Sequence, residues 1–511
     1  MSSLARPPAR RIQTLFAGMR AQAPSAVLAG FSPSAPTLTQ LATGNASYGP
    51  DDFQAIGSTW LIEHHRGVLR DDAGLGKTKM TLDAINHLRG SLGRILVLAE
   101  ASNINDPWID ECKQWYPDIP VHVHRGKGRI PAFEAFDERY TFVTRIIIAS
   151  YAIFREEYQY ICKHYYDWCI LDEGQMIRGN PLNGNMSYIA ERVHFIQAAR
   201  KHILSGTPLV SSPADGWNIM RWLGYEDRSW KDFMRECLHV IEIEVAQGEF
   251  RNKVVNATPA GIGKMRSFMY HNTLQRTKKD HLVLPPKTER QIAVRMSVSE
   301  AKAYLEVVDQ YRAMCEELEG GSQPSVRPEV LQIRMLKRCT DIKSKLDVVE
   351  QKVKEAIGSD QKVFVVCTRL STLRLLYKRL RKYGITYLHG GMSAQQQEQQ
   401  TTRFGTSSKH NVLIATQQCC RTGRNKLKVA NVMIRLAREW NPSWNEQTVA
   451  RLHRAGQSKP VLVLDLYAVL PNGRATIEHK VERALQRKSH NNDMILHGRV
   501  TPRVVQEMLN L

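Results

Sequence analysis

Val68-Leu-Arg-Asp-Asp-Ala-Gly-Leu-Gly-Lys-Thr-Lys-Met80 is the stretch on which the architecture turns. A short apolar start runs into Gly74-Leu-Gly76, then Lys77-Thr78, then the helical run Met80-Thr-Leu-Asp-Ala-Ile85. Glycines let backbone N–H groups curl around phosphate oxygens where a Cβ would obstruct them. In such a loop Gly74, Leu75 and Gly76 cradle the anion, Lys77 reaches the outer phosphates and the Thr78 hydroxyl ligates Mg²⁺. The helix that follows directs its positive N-terminal end at the same anion. The strict pattern wants glycine where Asp71 stands, so one position departs from the generic motif.

Outward from this loop, short apolar runs alternate with helical stretches. Candidate buried strands are Arg94-Ile-Leu-Val-Leu-Ala99, Arg145-Ile-Ile-Ile-Ala149, Trp168-Cys-Ile-Leu171 and Lys201-His-Ile-Leu204. Each is continuous in polarity, as strands covered on both faces should be. A second set follows at Lys362–Cys367, Ile385–Leu388, Asn411–Ala415, Val432–Ile434 and Val461–Leu464. The pattern predicts an α/β protein of two parallel-sheet lobes in tandem, at 49–210 and 346–490, with helices between the strands. Residues 211–345, poor in strand signals and rich in helix formers, are expected to form a mainly helical insertion and linker. Residues 1–48 hold four arginines and no acidic residue, so a disordered basic tail is expected, with a transit peptide as the rival reading. Residues 491–511 are left as a C-terminal tail.

Two further clusters fall at strand ends. Asp172 and Glu173 close the apolar strand Trp168–Leu171, where open α/β sheets bind ligands. There Asp172 can hold Mg²⁺ and Glu173 can orient and deprotonate an attacking water. Ser205-Gly-Thr207 follows the next strand with two hydroxyls and a close backbone approach.

Composition narrows the partners. Among 511 residues, 71 Lys and Arg face 50 Asp and Glu, a net charge of +21 that points to a polyanion. The basic residues are spread along the chain instead of lining one amphipathic helix, which favours nucleic acid over a membrane surface. No apolar run approaches the ~20 residues a bilayer-spanning helix needs. The nine cysteines form no Cys-x-x-Cys pair, so neither structural zinc nor a disulfide framework is expected, and a reducing compartment is.

Together these pieces resemble helicase superfamily two, and within it the SWI/SNF-type DNA-translocating ATPases, over about residues 50–490. Phe53-Gln54-Ala-Ile-Gly57 resembles the family's adenine-reading glutamine motif, and Asp71-Asp-Ala-Gly-Leu-Gly-Lys-Thr78 its phosphate loop, the Asp included. Leu274-Gln-Arg-Thr-Lys-Lys-Asp280 with Leu284-Pro-Pro-Lys287 resembles the stretch closing the first lobe's insertion. In the second lobe, Trp440-Asn-Pro442 precedes Gln447-Thr-Val-Ala-Arg451-Leu-His-Arg454-Ala-Gly-Gln457. Two arginines three apart share a helix face and suit bidentate contact with a phosphoryl group.

The resemblance implies two RecA-like lobes, ATP and Mg²⁺, and double-stranded DNA as partner, with DNA-bound proteins beyond it. It casts Lys77, Asp172, Glu173, Arg451 and Arg454 as catalytic. Gln54 joins the loop in ATP binding, and Thr78 and Asp172 hold the metal. Gln175, Ser205, Gly206, Thr207 and Gln447 become coupling residues, and Asn103, Arg369, Thr416, Arg421 and Trp440 DNA contacts. Its location would be the nucleus in a eukaryote, the cytoplasm in a prokaryotic or viral setting, or the mitochondrion if the N-terminus is an import signal. Three places depart from the family, one being the acidic residue usual before Trp-Asn-Pro, where Ala437-Arg-Glu439 stand. Gln175 stands where His is usual, and Gly423-Arg-Asn-Lys-Leu427 replaces Gly-Leu-Asn-Leu. The expected activity is ATP-driven translocation along duplex DNA. Fork remodelling or annealing, strand separation, and a weakly active DNA-binding scaffold are the alternatives.

Overall fold

The computed structural model describes residues 53–486, apart from 102, 178–187, 207–213, 247–248, 320–327, 421–424, 441 and 484. The N-terminal and C-terminal tails therefore lie outside it, as do Thr207 and Arg421.

The chain first lays down β1 (Arg66–Leu69), β2 (Arg94–Ala99), β3 (Val121–His124), β4 (Arg145–Ser150), β5 (Tyr165–Asp172) and β6 (Gln197–Leu204). An antiparallel hairpin follows, β7 (Leu238–Ala246) with β8 (Glu249–Ala257), and then β9 (Thr273–Leu274). β9 returns to the first sheet, whose order is β3-β4-β2-β5-β6-β1-β9. The second sheet contains β10 (Lys287–Arg295), β11 (Val363–Cys367), β12 (Ile385–Leu388), β13 (Val412–Thr416), β14 (Val432–Arg435) and β15 (Val461–Val469). Its order is β10-β15-β14-β11-β13-β12. Every pairing within these two sheets is parallel.

Side chains explain why these runs are continuous. Along β2, Leu96 and Leu98 enter one core of the first lobe, while Ile95, Val97 and Ala99 enter the other. Along β11, Val363, Val365 and Cys367 face one core and Phe364 and Val366 the opposite one. A strand with helices on both sides has no solvent face, so both registers of its two-residue period are apolar. Each fully buried Leu, Ile or Val contributes about 1.5–3 kcal/mol.

Residues 211–345 depart from the expected helical insertion. The helices Ala214–Leu223, Trp230–Cys237, Pro259–Asn272, Val298–Glu319 and Pro328–Thr340 are there, but so are β7, β8, β9 and β10. The second sheet consequently begins at Lys287 instead of near 346, because β10 pairs along its whole length with β15. β10 is an edge strand and mostly exposed, so its polar sequence Lys-Thr-Glu-Arg-Gln carries no apolar run. The stretch between β9 and β10 forms a strap that leaves one sheet and enters the other.

Candidate functional site

The phosphate loop leaves β1 at its C-terminal end. Gly74 and Gly76 adopt φ of +94° and +87°, values that side-chain-bearing residues rarely tolerate. Gly76 caps the helix Lys77–His87, so the first free N–H groups of that helix open onto the loop. Gln54 Nε2 donates to the Leu75 carbonyl at 3.1 Å, which sets the glutamine against the loop. Lys77 Nζ donates to the carbonyls of Asp71 at 2.6 Å and Asp72 at 3.3 Å, holding its ammonium across the loop. Thr78 is buried at the start of the helix.

The strap explains the Asp at the glycine position. β9 pairs with β1, and the chain continues beside the loop, with the Arg70 N–H on the Leu274 carbonyl at 2.7 Å and the Asp72 N–H on the Arg276 carbonyl at 3.1 Å. This brings Arg276 onto Asp71: Nε donates to Oδ1 at 3.0 Å and a terminal nitrogen pairs with Oδ2. Asp71 is completely buried and Arg276 is 8% exposed. Arg276 also donates to the Phe53 carbonyl and lies 3.3 Å from Met80 Sδ, so one guanidinium joins the loop, its helix and the helix that carries Gln54.

At the end of β5 the two carboxylates occupy different settings. Asp172 is buried and accepts from Asn103 Nδ2 at 3.2 Å and Trp108 Nε1 at 3.1 Å. Burial, reinforced by the Glu173 charge beside it, raises its pKa to about 6. A carboxyl held this way favours a cation. A carboxylate and a threonine hydroxyl such as that of Thr78 are oxygen donors of the kind Mg²⁺ takes, in small number, completing its shell with phosphate and water. Glu173 sits in the left-handed region at φ +50°, a strained conformation that turns its side chain off the strand.

Glu173 is where the lobes meet. Its Oε2 accepts from Gln175 Nε2 at 2.7 Å and from Gln447 Nε2 of the second lobe at 3.2 Å. Gln175 in turn accepts from the Ser205 hydroxyl at 2.6 Å. The glutamine that replaces the family's usual His thus uses both ends of its amide. Gly206 packs on the loop, since a Cβ there would stand 3.4 Å from the Asp71 carbonyl oxygen.

The second lobe's helix carrying Gln447 ends at Val449, so the two arginines lie in the turns beyond it and not on the helix face expected for them. Arg451 Nε donates to the Cys420 carbonyl at 3.1 Å, and Arg454 Cβ lies 3.6 Å from where a Cβ on Gly74 would stand. A cleft opens here, lined from one lobe by Asp72, Lys77 and Glu173 and from the other by Gln447 and His453. The strap lines it too, through Lys278, which the residue pattern did not single out.

The expected DNA contacts fare unevenly. Asn103 is buried against Asp172 and belongs to the carboxylate's setting instead of an outer surface. Thr416 is buried with its hydroxyl on Cys419 Sγ at 3.4 Å. Arg369 is half-buried and donates to Thr340 Oγ1 at 2.7 Å. Trp440 is exposed.

Known proteins share this pattern. The SNF2-related domain family matches residues 53–346, and the helicase conserved C-terminal domain matches residues 344–456. The chain is 26% identical over 491 residues to the SWI/SNF-related matrix-associated actin-dependent regulator of chromatin subfamily A member 1 of Mus musculus, covering 88% of this chain and 44% of that protein. It is 25% identical to the ISWI chromatin-remodeling complex ATPase ISW1 of Saccharomyces cerevisiae, over 85% of this chain and 39% of that one. The chain thus spans less than half the length of these curated relatives. A solved Sulfolobus solfataricus SWI2/SNF2 ATPase core in complex with dsDNA aligns with 87% of this chain and 92% of that chain at 19% identity. The TM-score of that alignment is 0.39.

Proposed function

Because the chain belongs to the SNF2-related family of helicase superfamily two, we propose that it hydrolyses ATP between its two sheets and thereby translocates on double-stranded DNA. The observation that carries this is the Glu173 carboxylate, hydrogen-bonded at once by Gln175 of its own lobe and Gln447 of the other. A general base gripped from both sides is in position only while the lobes are together.

In this reading the amides of Gly74–Gly76 and the Lys77 ammonium hold the phosphates, and Gln54 lies at the adenine end. Mg²⁺, held by Thr78 and Asp172, would neutralise phosphate charge. Glu173 orients a water in line with the terminal phosphorus and takes its proton as the new P–O bond forms and the bond to ADP breaks. Arg451 and Arg454 stabilise the phosphoryl charge from across the cleft, a contribution of about 10³–10⁵ in rate where such arginines have been removed elsewhere. DNA that aligns the lobes would stimulate turnover. Phosphate contacts would supply affinity without sequence preference, and affinity would fall steeply with salt. That Gln175 bonds Glu173 through its amide nitrogen and Ser205 through its oxygen favours an active motor over a DNA-binding scaffold.

The test is ATP hydrolysis by the purified chain with and without duplex DNA, beside a triplex-displacement assay for translocation. DNA-stimulated turnover, lost in Lys77→Ala, is expected. Tight DNA binding with no stimulated turnover would favour the scaffold instead.

A further inference from the structure

Lys278 stands where strap, phosphate loop and second lobe touch. Its backbone N–H donates to Asp72 Oδ2 at 2.9 Å, which pins the residue beside the loop. Its ammonium donates to the His453 carbonyl of the second lobe at 3.0 Å. From the loop side, a Cβ on Gly74 would lie 3.7 Å from Lys278 Cε and 3.8 Å from Nζ, and 3.6 Å from Arg454 Cβ. Lys278 and Arg454 therefore flank the same glycine.

The charges around the ammonium are mostly of its own sign. Lys77 faces it from the loop helix and Arg451 and Arg454 from the second lobe, with Asp72 the opposing carboxylate. The His453 imidazole stands within reach of the same charge, with its Nε2 on the Pro285 carbonyl at 2.9 Å. Burial, more than these neighbours, lowers the Lys278 pKa to about 8. A lone carbonyl is a poor counterpart for a cation in such company, whereas an anion with several oxygens suits it. An ammonium has three N–H donors, and the His453 carbonyl accounts for one.

We propose that Lys278 binds the terminal phosphate of the nucleoside triphosphate, opposite Arg454 across Gly74, while its remaining donor keeps hold of the second lobe through the His453 carbonyl. This rests on the cleft being the nucleotide site. Lys278 would then distinguish triphosphate from diphosphate, a task separate from that of Lys77, which lies across the loop as a whole.

Affinities of the full chain for AMP-PNP and ADP, with Mg²⁺, test this by titration calorimetry. Lys278→Met should weaken AMP-PNP about tenfold or more, as for loss of one charge-assisted hydrogen bond, and leave ADP within about twofold. Lys278→Gln can still donate to the His453 carbonyl but has no charge, and should show the same selective loss, so the result does not hang on one variant folding. Lys77→Ala should weaken both nucleotides. Equal weakening of AMP-PNP and ADP in the Lys278 variants, or none, would overturn the proposal while leaving the nucleotide site intact. Failure of the unaltered chain to bind either nucleotide would overturn both.

Discussion

Removing Arg276 should loosen the phosphate loop without taking away a group assigned to the nucleotide. Asp71 has no exposure at all, and Arg276 reaches it with two nitrogens from 205 residues away. Truncating one member of such a pair leaves a buried, uncompensated charge at a cost of about 3–5 kcal/mol. Arg276→Ala also forfeits the bond to the Phe53 carbonyl and the Met80 contact, so the upper end of that range is expected. Asp71→Ala strands the guanidinium but keeps the Phe53 bond, which points to the lower end. In Asp71→Ala/Arg276→Ala neither charge remains, and the two costs should fall short of adding by about 2 kcal/mol or more. Hydrogen–deuterium exchange of the peptide spanning 66–87 in the four proteins reads the opening free energy of β1 and the loop helix directly. Additivity within about 0.5 kcal/mol would refute the claim that this pair is the reason for an aspartate where the generic loop has glycine.

Three other outcomes are expected. Gln447→Ala withdraws the second-lobe donor from Glu173 and should lower DNA-stimulated kcat about tenfold with KM within twofold, by steady-state hydrolysis assays. Asp172 has its pKa raised to about 6, so its share of folding stability is present below the unfolded value near 4 and is lost as pH rises through 6. Mg²⁺ requires the ionised form, so thermal stabilisation by Mg²⁺-ADP should be larger at pH 7.5 than at 5.5. In Asp172→Asn it should be small at both pH values, which differential scanning fluorimetry reads. In the second lobe, fully buried Lys345 donates to both Glu478 oxygens at 2.8 and 2.9 Å and to the Leu436 and Leu466 carbonyls, so Lys345→Met should cost about 3–5 kcal/mol in urea unfolding.

Strands buried on both faces were legible because nothing but apolar residues fits them. The sequence run Arg94–Ala99 coincides with β2, and Ile385–Leu388 with β12. β10 was not legible, since an exposed edge strand can be polar throughout, and β9 is two residues long. Lys77 stood out through its loop and Glu173 through its place at a strand end, both local signals, and Gln447 through the family resemblance alone; all three line the cleft. Arg276 and Lys278 stood in a quoted stretch without a role, because their partners Asp71 and Asp72 lie some two hundred residues earlier. The aspartate in place of glycine was the available clue, since a carboxylate forced into that position needs a counter-charge. Asn103 misled because a position after a strand says where a residue lies along the chain but not which way it turns.

The strap sets how the two sheets can move. Up to Lys278 it is fastened to the phosphate loop, and from Lys287 it is an edge strand of the opposite sheet, with the Val461 N–H already on the Pro286 carbonyl at 2.9 Å. Leu282 still packs on the first lobe's core and the Pro285 carbonyl already accepts from His453 of the second, so only residues 283 and 284 are left to absorb a rotation, and Pro285 stiffens their far end. The pivot is thereby confined to a few residues, and a turn of the second sheet tugs on the loop's backbone as a rein does on a bit.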